Sequence, residues 1–495
     1  MSDPILLHPS DDVAILTEKR DRIAAGHKIA RHAVAEGAPI RKFGQIIGYA
    51  SAPIAAGAHV HSHNCSIGAH DRRYDAGADL ALAEAAVAPR PAAEFMGYRR
   101  PDGRVGTRNY IALCATVNCS ATVIRQAAEE IRASGILTDY PNIDGVFALA
   151  HGTGCGMASE GPGWDNLQRV LWGYATHPNV GAAVFVGLGC EVMQVARMKV
   201  AFDGPGAGKQ RFHGLTIQES GGTRATIAAI RERIEALLPE VNDISRSPCP
   251  ASDLCVALQC GGSDGYSGIT ANPALGFASD LLVAQGGTVI LAETPEIYGA
   301  EQLLIRRAVS PQVAEELLER IRWWESYTAM HGGTMDNNPS PGNKAGGLTT
   351  ILEKSLGAVA KGGAAPLSEV VGYAVSPSAR GLIFMDTPGY DPVSVTGQVA
   401  GGAQIVVFTT GRGSAFGSKP APTIKLATNE RLFAAMRDDM DINCGDIVGG
   451  GVSIAGKGEE ILAEILAVAS GKASCSEALG LGDHEILPWQ IGAVM

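Results

Sequence analysis

Two patterns of apolar and polar positions divide the chain. Up to about His70 the apolar runs are short and alternate with turn signals at Gly26, Gly37, Gly44 and Gly57, as in a small β-module. Ile23-Ala24-Ala25-Gly26-His27-Lys28-Ile29 is echoed by Ile54-Ala55-Ala56-Gly57-Ala58-His59-Val60, each reading as a turn followed by a strand. Two copies are too few for a solenoid. Residues 71–97, rich in Ala, Arg and Asp with Pro89 and Pro91, read as a linker.

Beyond the linker, strands alternate with helices. Tyr110–Val117 is a continuous apolar run, the mark of a strand buried on both faces. Ala121–Ser134 follows at helical spacing, with Ser120 as the expected N-cap and Gly135 just past the end. Further strands are expected at Gly145–Ala150, Ala182–Gly187, Leu254–Gln259, Thr288–Ala292, Leu382–Met385 and Gln404–Thr409. Helices are expected at Thr223–Leu238, Pro311–Tyr327 (capped by Ser310) and Glu459–Ala469. Such alternation predicts an α/β fold with largely parallel sheets covered on both faces. The Pro-rich stretch Arg246–Ser252 marks a division, giving α/β units at 98–245 and 246–495 after the β-module of 1–70.

Composition narrows the function classes. A chain of 495 residues exceeds one hydrophobic core. The formal charge of −11 and the absence of any Lys/Arg run argue against a nucleic-acid partner. No apolar stretch is long enough to span a membrane. Met1-Ser2-Asp3-Pro4 has no basic region leading into an apolar one, so a cytoplasmic protein is expected. Its ten cysteines then read as thiols or ligands rather than disulfides.

Four of those cysteines follow strands: Cys119, Cys155 in His151-Gly152-Thr153-Gly154-Cys155-Gly156, Cys190 in Gly187-Leu188-Gly189-Cys190-Glu191, and Cys260 in Gln259-Cys260-Gly261-Gly262-Ser263-Asp264-Gly265. Ligands bind beyond the carboxyl ends of strands in open α/β sheets, and convergent thiolates select iron, zinc or an iron–sulfur cluster. A cysteine can also be a small apolar side chain, the reading that suits Cys114 and Cys255 inside their strands. Alternation places His59, His61 and His63 on one side of a strand, a set that can bind a divalent metal or a carboxylate. Asn338–Gly347, broken by Pro and Gly, reads as a rigid non-helical loop. Its Ser340, Asn343 and Lys344 can bind hydroxyls and a carboxylate, and a buried Lys344 can serve as general base. Arg412, between Gly411 and Gly413 after a strand, can grip a carboxylate with a bidentate fork.

These segments together resemble the altronate/galactarate dehydratase family. The resemblance runs from about Tyr98 to Gly445 through Gly106-Thr107-Arg108-Asn109, His151–Gly156, Gly187–Glu191, Gln259–Gly265 with Ser267–Pro273, Tyr298–Leu303, Asn338–Thr349 and Thr409–Gly413. The N-terminal module is similar to the β-clip (SAF) domain that this family carries, and His61-Ser62-His63-Asn64 resembles the altronate branch. The resemblance implies two Rossmann-like units, a homo-oligomer, and loss of water from a small anionic sugar acid to give a 2-keto-3-deoxy product. It implies Fe²⁺ or another divalent ion. The metal candidates on this chain are Cys119, Cys155, Cys190, Cys260, His61 and His63, and two forms stay open: a mononuclear ion held by His and carboxylate, or an iron–sulfur cluster held by three or four of the cysteines with one iron left open. The expected roles are His151 or Lys344 as base, His61 or His63 as proton donor, and Arg108, Asn272, Ser340, Asn343 and Arg412 as substrate contacts. Rival readings are a sulfolactate-type sulfo-lyase and a non-catalytic sugar-acid-binding protein.

Overall fold

The structure, a computed structural model, describes residues 3–68, 73–202 and 212–492. The N-terminal module consists of two three-stranded antiparallel sheets. One joins Val13–Ile15, Lys28–Ala30 and His59–Val60, and the other joins Pro39–Lys42, Gln45–Ala50 and Cys65–Ser66. The two echoed heptapeptides pair with each other, Lys28 opposite Val60 and Ile29 opposite His59. The expected end of the module and start of the linker, at residues 69–72, lie outside the described residues.

The remainder of the expected linker is structured. It holds the helix Leu80–Ala86 and the strand Glu94–Arg99. Its Ala-rich composition, which suggested a spacer, also favours a helix. Glu94–Arg99 pairs with Ser247–Pro250 on one side and with Val105–Gly106 on the other. The dividing Pro-rich stretch is therefore an edge strand of this small sheet, where Pro248 and Pro250 cost no ladder bond to a further neighbour.

Between Val105–Gly106 and Ser247–Pro250 in the chain lies a four-stranded parallel sheet, in the order Gly145–Leu149, Tyr110–Ala115, Val180–Gly187, His213–Thr216. Helices Asn118–Ser134 and Thr223–Asn242 cover one face, burying Val123, Ile124, Ile230 and Ile234 against Ile111, Leu113 and Val184. Gly135 ends the first helix in the left-handed conformation (φ 72°), as expected. Its start differs: Val117 is the cap, and Ser120 lies in the first turn with its hydroxyl on the carbonyls of Val117 and Val186.

The second unit is a seven-stranded parallel sheet in the order Leu367–Val371, Gly381–Met385, Thr288–Ala292, Cys255–Cys260, Ile405–Thr410, Thr423–Ala427, Ile442–Asn443. Helices Ala271–Ala284 and Ile454–Ala469 pack on one face, and Asp391–Ala400 on the other meets Pro162–Ala175 of the first unit. Ser310 caps Pro311–Met330 as expected, its hydroxyl accepting from Val313 N. Strand order reverses at Cys255–Cys260, whose neighbours are the second and fifth strands of this sheet in chain order. Such a reversal opens a crevice at the carboxyl ends.

The N-terminal module is fastened to this unit by a buried charge cluster. Lys28 and Lys42 both reach Glu353, at 2.8 and 2.9 Å, and Lys28 also donates to the Gly347 carbonyl at 2.6 Å. Thr349 adds backbone and hydroxyl donors to the same carboxylate. Burial opposes the Glu353 charge, but the two lysines outweigh it and hold its pKa far below the usual carboxylate range. Among the described residues no helix is long and apolar enough to cross a membrane.

Candidate active site

The module sits over the strand-order reversal. Four segments interlock there. Gly411 N and Arg412 N both donate to the Gly262 carbonyl, Gly265 N donates to Gly346, and the Asn343 amide donates to Ser263 O at 2.9 Å. Tyr266 hydroxyl donates to Leu16 O of the module at 3.0 Å. The backbone of Gly26 approaches Gly265 so closely that any side chain on residue 265 would strike the Gly26 carbonyl. Beneath them Asp264 accepts from Ser267, Thr428 and Asn429, which locks the loop.

The module contributes four imidazoles to the mouth. His59 and His61 come with His27 from the partner strand's turn and with His63, ring centroids 5.1–5.5 Å apart. Only His59–Val60 is strand, and a turn carries His61 onward. Hydrogen bonds assign the tautomers. His27 donates from Nε2 to Ala345 O at 3.3 Å, so its Nδ1 accepts from His59 Nε2 at 3.0 Å. That leaves His59 Nδ1 with a bare lone pair. His61 donates from Nε2 to Lys344 O at 2.8 Å. Burial lowers the pKa of His27 and His61, and burial with the neighbouring imidazoles pushes His59 down to about 4. These three rings are neutral at pH 7, the state that binds metal or accepts a proton.

Below the loops lies a buried group of ionisable side chains. Cys260 ends its strand and Glu293 follows the adjacent strand Thr288–Ala292, at the same level in the parallel register. With Glu296 they offer three ligand atoms within 4.8 Å of one another. Lys361 Nζ stands 2.8 Å from Cys260 Sγ, and Lys354 Nζ stands 2.6 Å from Glu296. Asn338 bridges Lys354 and Glu296, at 2.7 and 3.0 Å. Burial raises the Glu296 pKa, but Lys354 and Lys361 outweigh it and keep the carboxylate charged. Burial and then Glu296 push Glu293 well above its usual range, and the same two causes raise Asp391 to about 6. Burial pushes the Cys260 thiol up to about 12.

Glu293 is the outlier. It is 1% exposed, and neither carboxylate oxygen has a hydrogen-bond partner. Its backbone is left-handed at φ 71°, which costs a non-glycine residue on the order of 1–3 kcal/mol. A buried, unpaired carboxylate held by strain beside a thiol and a second carboxylate fits a divalent cation of intermediate softness, for which sulfur and oxygen donors are both suitable.

The expected site residues divide into four groups. Cys260 stands alone among the four strand-end cysteines: it is buried in the seven-stranded sheet, whereas Cys119, Cys155 and Cys190 are exposed on the four-stranded one. The four are thus divided between the two parallel sheets. Arg108 is 3% exposed and spent on Glu477 and on the carbonyls of Thr107, Val468 and Lys472. His151 is buried with Nε2 on Ala115 O and Nδ1 on Thr153 N, its pKa pushed down to about 4 by burial. Both side chains, expected as substrate contact and base, are engaged by protein groups. Asn272 bonds Gly357 O and Thr409, so it braces the strand ends. Ser340 and Asn343 form a capping box on a one-turn helix, Pro341–Ala345, inside the loop expected to be non-helical. Pro at the first helical position suits such a start. Lys344 and His63 lie at the mouth without a side-chain hydrogen bond among the described residues, and Arg412 is likewise exposed and unpaired. His27, Glu293, Glu296, Lys354 and Lys361 were not anticipated. Glu293, placed directly after Thr288–Ala292, carried the same strand-end signal as the cysteines.

Comparison with known proteins gives matches along most of the chain. Residues 16–67 match the altronate/galactarate dehydratase SAF domain. Residues 97–242 match the D-galactarate dehydratase/altronate hydrolase second domain, and residues 251–494 the D-galactarate/altronate dehydratase C-terminal domain. The chain is 37% identical to altronate dehydratase of Escherichia coli, covering 92% of this chain and 90% of that one. It is 38% identical to galactarate dehydratase (L-threo-forming) of the same organism, covering 94% and 93%. It is also 32% identical to the (2R)-sulfolactate sulfo-lyase subunit beta of Chromohalobacter salexigens, over 78% of this chain and 95% of that one.

Proposed function

The chain belongs to the galactarate/altronate dehydratase family, and we propose that it removes water from a sugar acid of the altronate or galactarate type to give a 2-keto-3-deoxy acid. The observation that carries the site assignment is the Cys260–Glu293–Glu296 donor set, buried at the strand-order reversal beneath the histidine-lined mouth. Cys260, Glu293 and Glu296 would hold iron(II) or a similar divalent ion, which when bound supplies Lewis-acid polarisation of the acid's oxygens. The doubly wound strand orders support reading both sheets as Rossmann-like.

The chemistry needs a base for the C2 proton, positive charge for the developing enediolate and an acid for the departing C3 hydroxyl. With His151 engaged by backbone, Lys344 Nζ is the unpaired base candidate at the mouth. Arg412 is placed to hold the carboxylate by a bidentate fork. His63, with both ring nitrogens free among the described residues, serves as proton donor to the hydroxyl. His59, His27 and His61 fix the module's turn against Lys344 and Ala345.

A panel of aldonates and aldarates, with (2R)-sulfolactate included, tests the reading under anaerobic iron(II). Formation of a 2-keto-3-deoxy acid from altronate or galactarate is expected. Sulfite release from sulfolactate as the main reaction would replace it with the sulfo-lyase reading. Tight binding of an acid without any keto product would replace it with a binding protein.

A further inference from the structure

We propose a second and separate metal centre: Cys119, Cys155 and Cys190 hold a [4Fe–4S] cluster through three thiolates, leaving its fourth iron open to solvent.

The first observation is exposure. All ten cysteines are free, and only these three are exposed. Cysteine is among the most buried residue types, and an exposed one is retained for its chemistry more than for packing. Three such thiols in one neighbourhood call for a ligand.

The second observation is their placement. They follow three adjacent parallel strands: Cys155 after Gly145–Leu149, Cys119 after Tyr110–Ala115, Cys190 after Val180–Gly187. Strand order reverses at the middle strand, so the crevice of this sheet opens among the three loops. The loops are joined directly. Asn118 N donates to Thr153 O at 2.9 Å and its side-chain amide to His151 O at 3.0 Å. Val192 N and Met193 N both donate to Gly154 O, at 3.1 and 3.2 Å. Gly154, in a left-handed conformation (φ 98°), lies against Thr116 and Val117 where no side chain would fit. Cys119 also occupies the first turn of the 17-residue helix Asn118–Ser134.

The third observation is what the neighbourhood lacks. Glu191 is buried and bonded to Thr116 and Gly189 N, and His151 is bonded to backbone at both nitrogens. Neither Glu191 nor His151 is therefore free to complete a mononuclear site. The three sulfurs are not gathered within 4.8 Å of one another, as donors to one ion must be; among the described residues only Cys260, Glu293 and Glu296 are. Three sulfur donors select an iron–sulfur cluster over an oxygen-seeking ion. This centre is independent of the dehydration reading, because it lies on the other sheet.

The test uses the full chain, purified anaerobically and reconstituted with ferrous iron and sulfide. About four iron and four acid-labile sulfide per chain are expected beyond any iron at the other site. A broad visible absorption bleached by dithionite should accompany them. Cys119→Ser, Cys155→Ser and Cys190→Ser should each lose the sulfide and the absorption, while Cys475→Ser keeps both. In the reconstituted wild-type protein the three thiols should resist alkylation and become reactive once the cluster is stripped. Iron without labile sulfide, full alkylation of the three thiols after reconstitution, or a cluster that survives all three single variants overturns the proposal.

Discussion

His61 donates its Nε2 proton to the main-chain carbonyl of Lys344 at 2.8 Å, across 283 positions of sequence. One bond thus ties the histidine turn of the N-terminal module to the loop that carries the unpaired lysine. The same loop begins at Asn338, which bonds Glu296 and Lys354 beside Cys260. A single segment therefore spans from the imidazoles to the buried acid–thiol group and joins the module to it.

Lys344→Ala tests the base. The side chain has no hydrogen-bond partner among the described residues, so stability should change by less than about 0.5 kcal/mol. Turnover should fall by about 10²–10⁴-fold, as for loss of a general base. Solvent deuterium incorporation at C2, followed by mass spectrometry, is the readout. Wild-type exchange in this variant would remove Lys344 from the role.

Glu293→Gln and Glu296→Gln should behave oppositely without metal. Glu293 has no partner to lose, so its amide variant should melt within about 1 kcal/mol of wild type or above it. Glu296 is paired with Lys354 at 2.6 Å, and breaking a buried pair costs about 3–5 kcal/mol. Both variants should lose iron(II) binding at this site. Titration with iron(II) beside urea melts separates the outcomes, and undiminished binding in Glu293→Gln would rule that residue out as a ligand.

Glu353→Gln should loosen the module. It strands Lys28 and Lys42, which are 0% and 2% exposed, without their counter-charge. About 3–5 kcal/mol of stability should be lost, and amide exchange should rise first in residues 13–60. Unchanged exchange there would show that apolar packing alone holds the module. Because the Glu353 pKa is depressed in the fold, its contribution is present above the unfolded carboxylate value and is lost as pH falls through the folded one.

His177 sets an acid limit at the junction of the two sheets. It is buried, with Nε2 on Ala403 O and Nδ1 on Asn179 N, and burial pushes its pKa down from 6.5 to about 3. The unfolded chain takes up a proton below pH 6.5 and the folded chain does not. Stability is therefore full above pH 6.5 and falls between 6.5 and 3, by about 2 kcal/mol at pH 5 from this residue. Urea melts at pH 7 and pH 5 should differ more in wild type than in His177→Gln. Equal differences would place the acid sensitivity elsewhere.

Much of the fold is legible in local pattern. Strands buried on both faces, such as Tyr110–Ala115 and Cys255–Cys260, betray themselves as unbroken apolar runs, because each residue must meet a covering helix. Capping at Ser310 and the left-handed turn at Gly135 are equally local. The helix Leu80–Ala86 was hidden because an Ala-rich segment satisfies a spacer and a helix alike.

By itself, the sequence determined the alternating elements and the residue types found at the strand ends. Only the tertiary structure decided which strand ends face one another. Strand order separates Cys260 from Cys119, Cys155 and Cys190 and brings Glu293 and Glu296 to it. It also decided which polar groups remain free. Arg108 and His151 carry the chemistry of a site, yet Glu477, Val468 and Ala115 consume it. A buried polar group must be paired wherever a partner lies within reach, and reach is a distance in space that spacing along the chain does not encode.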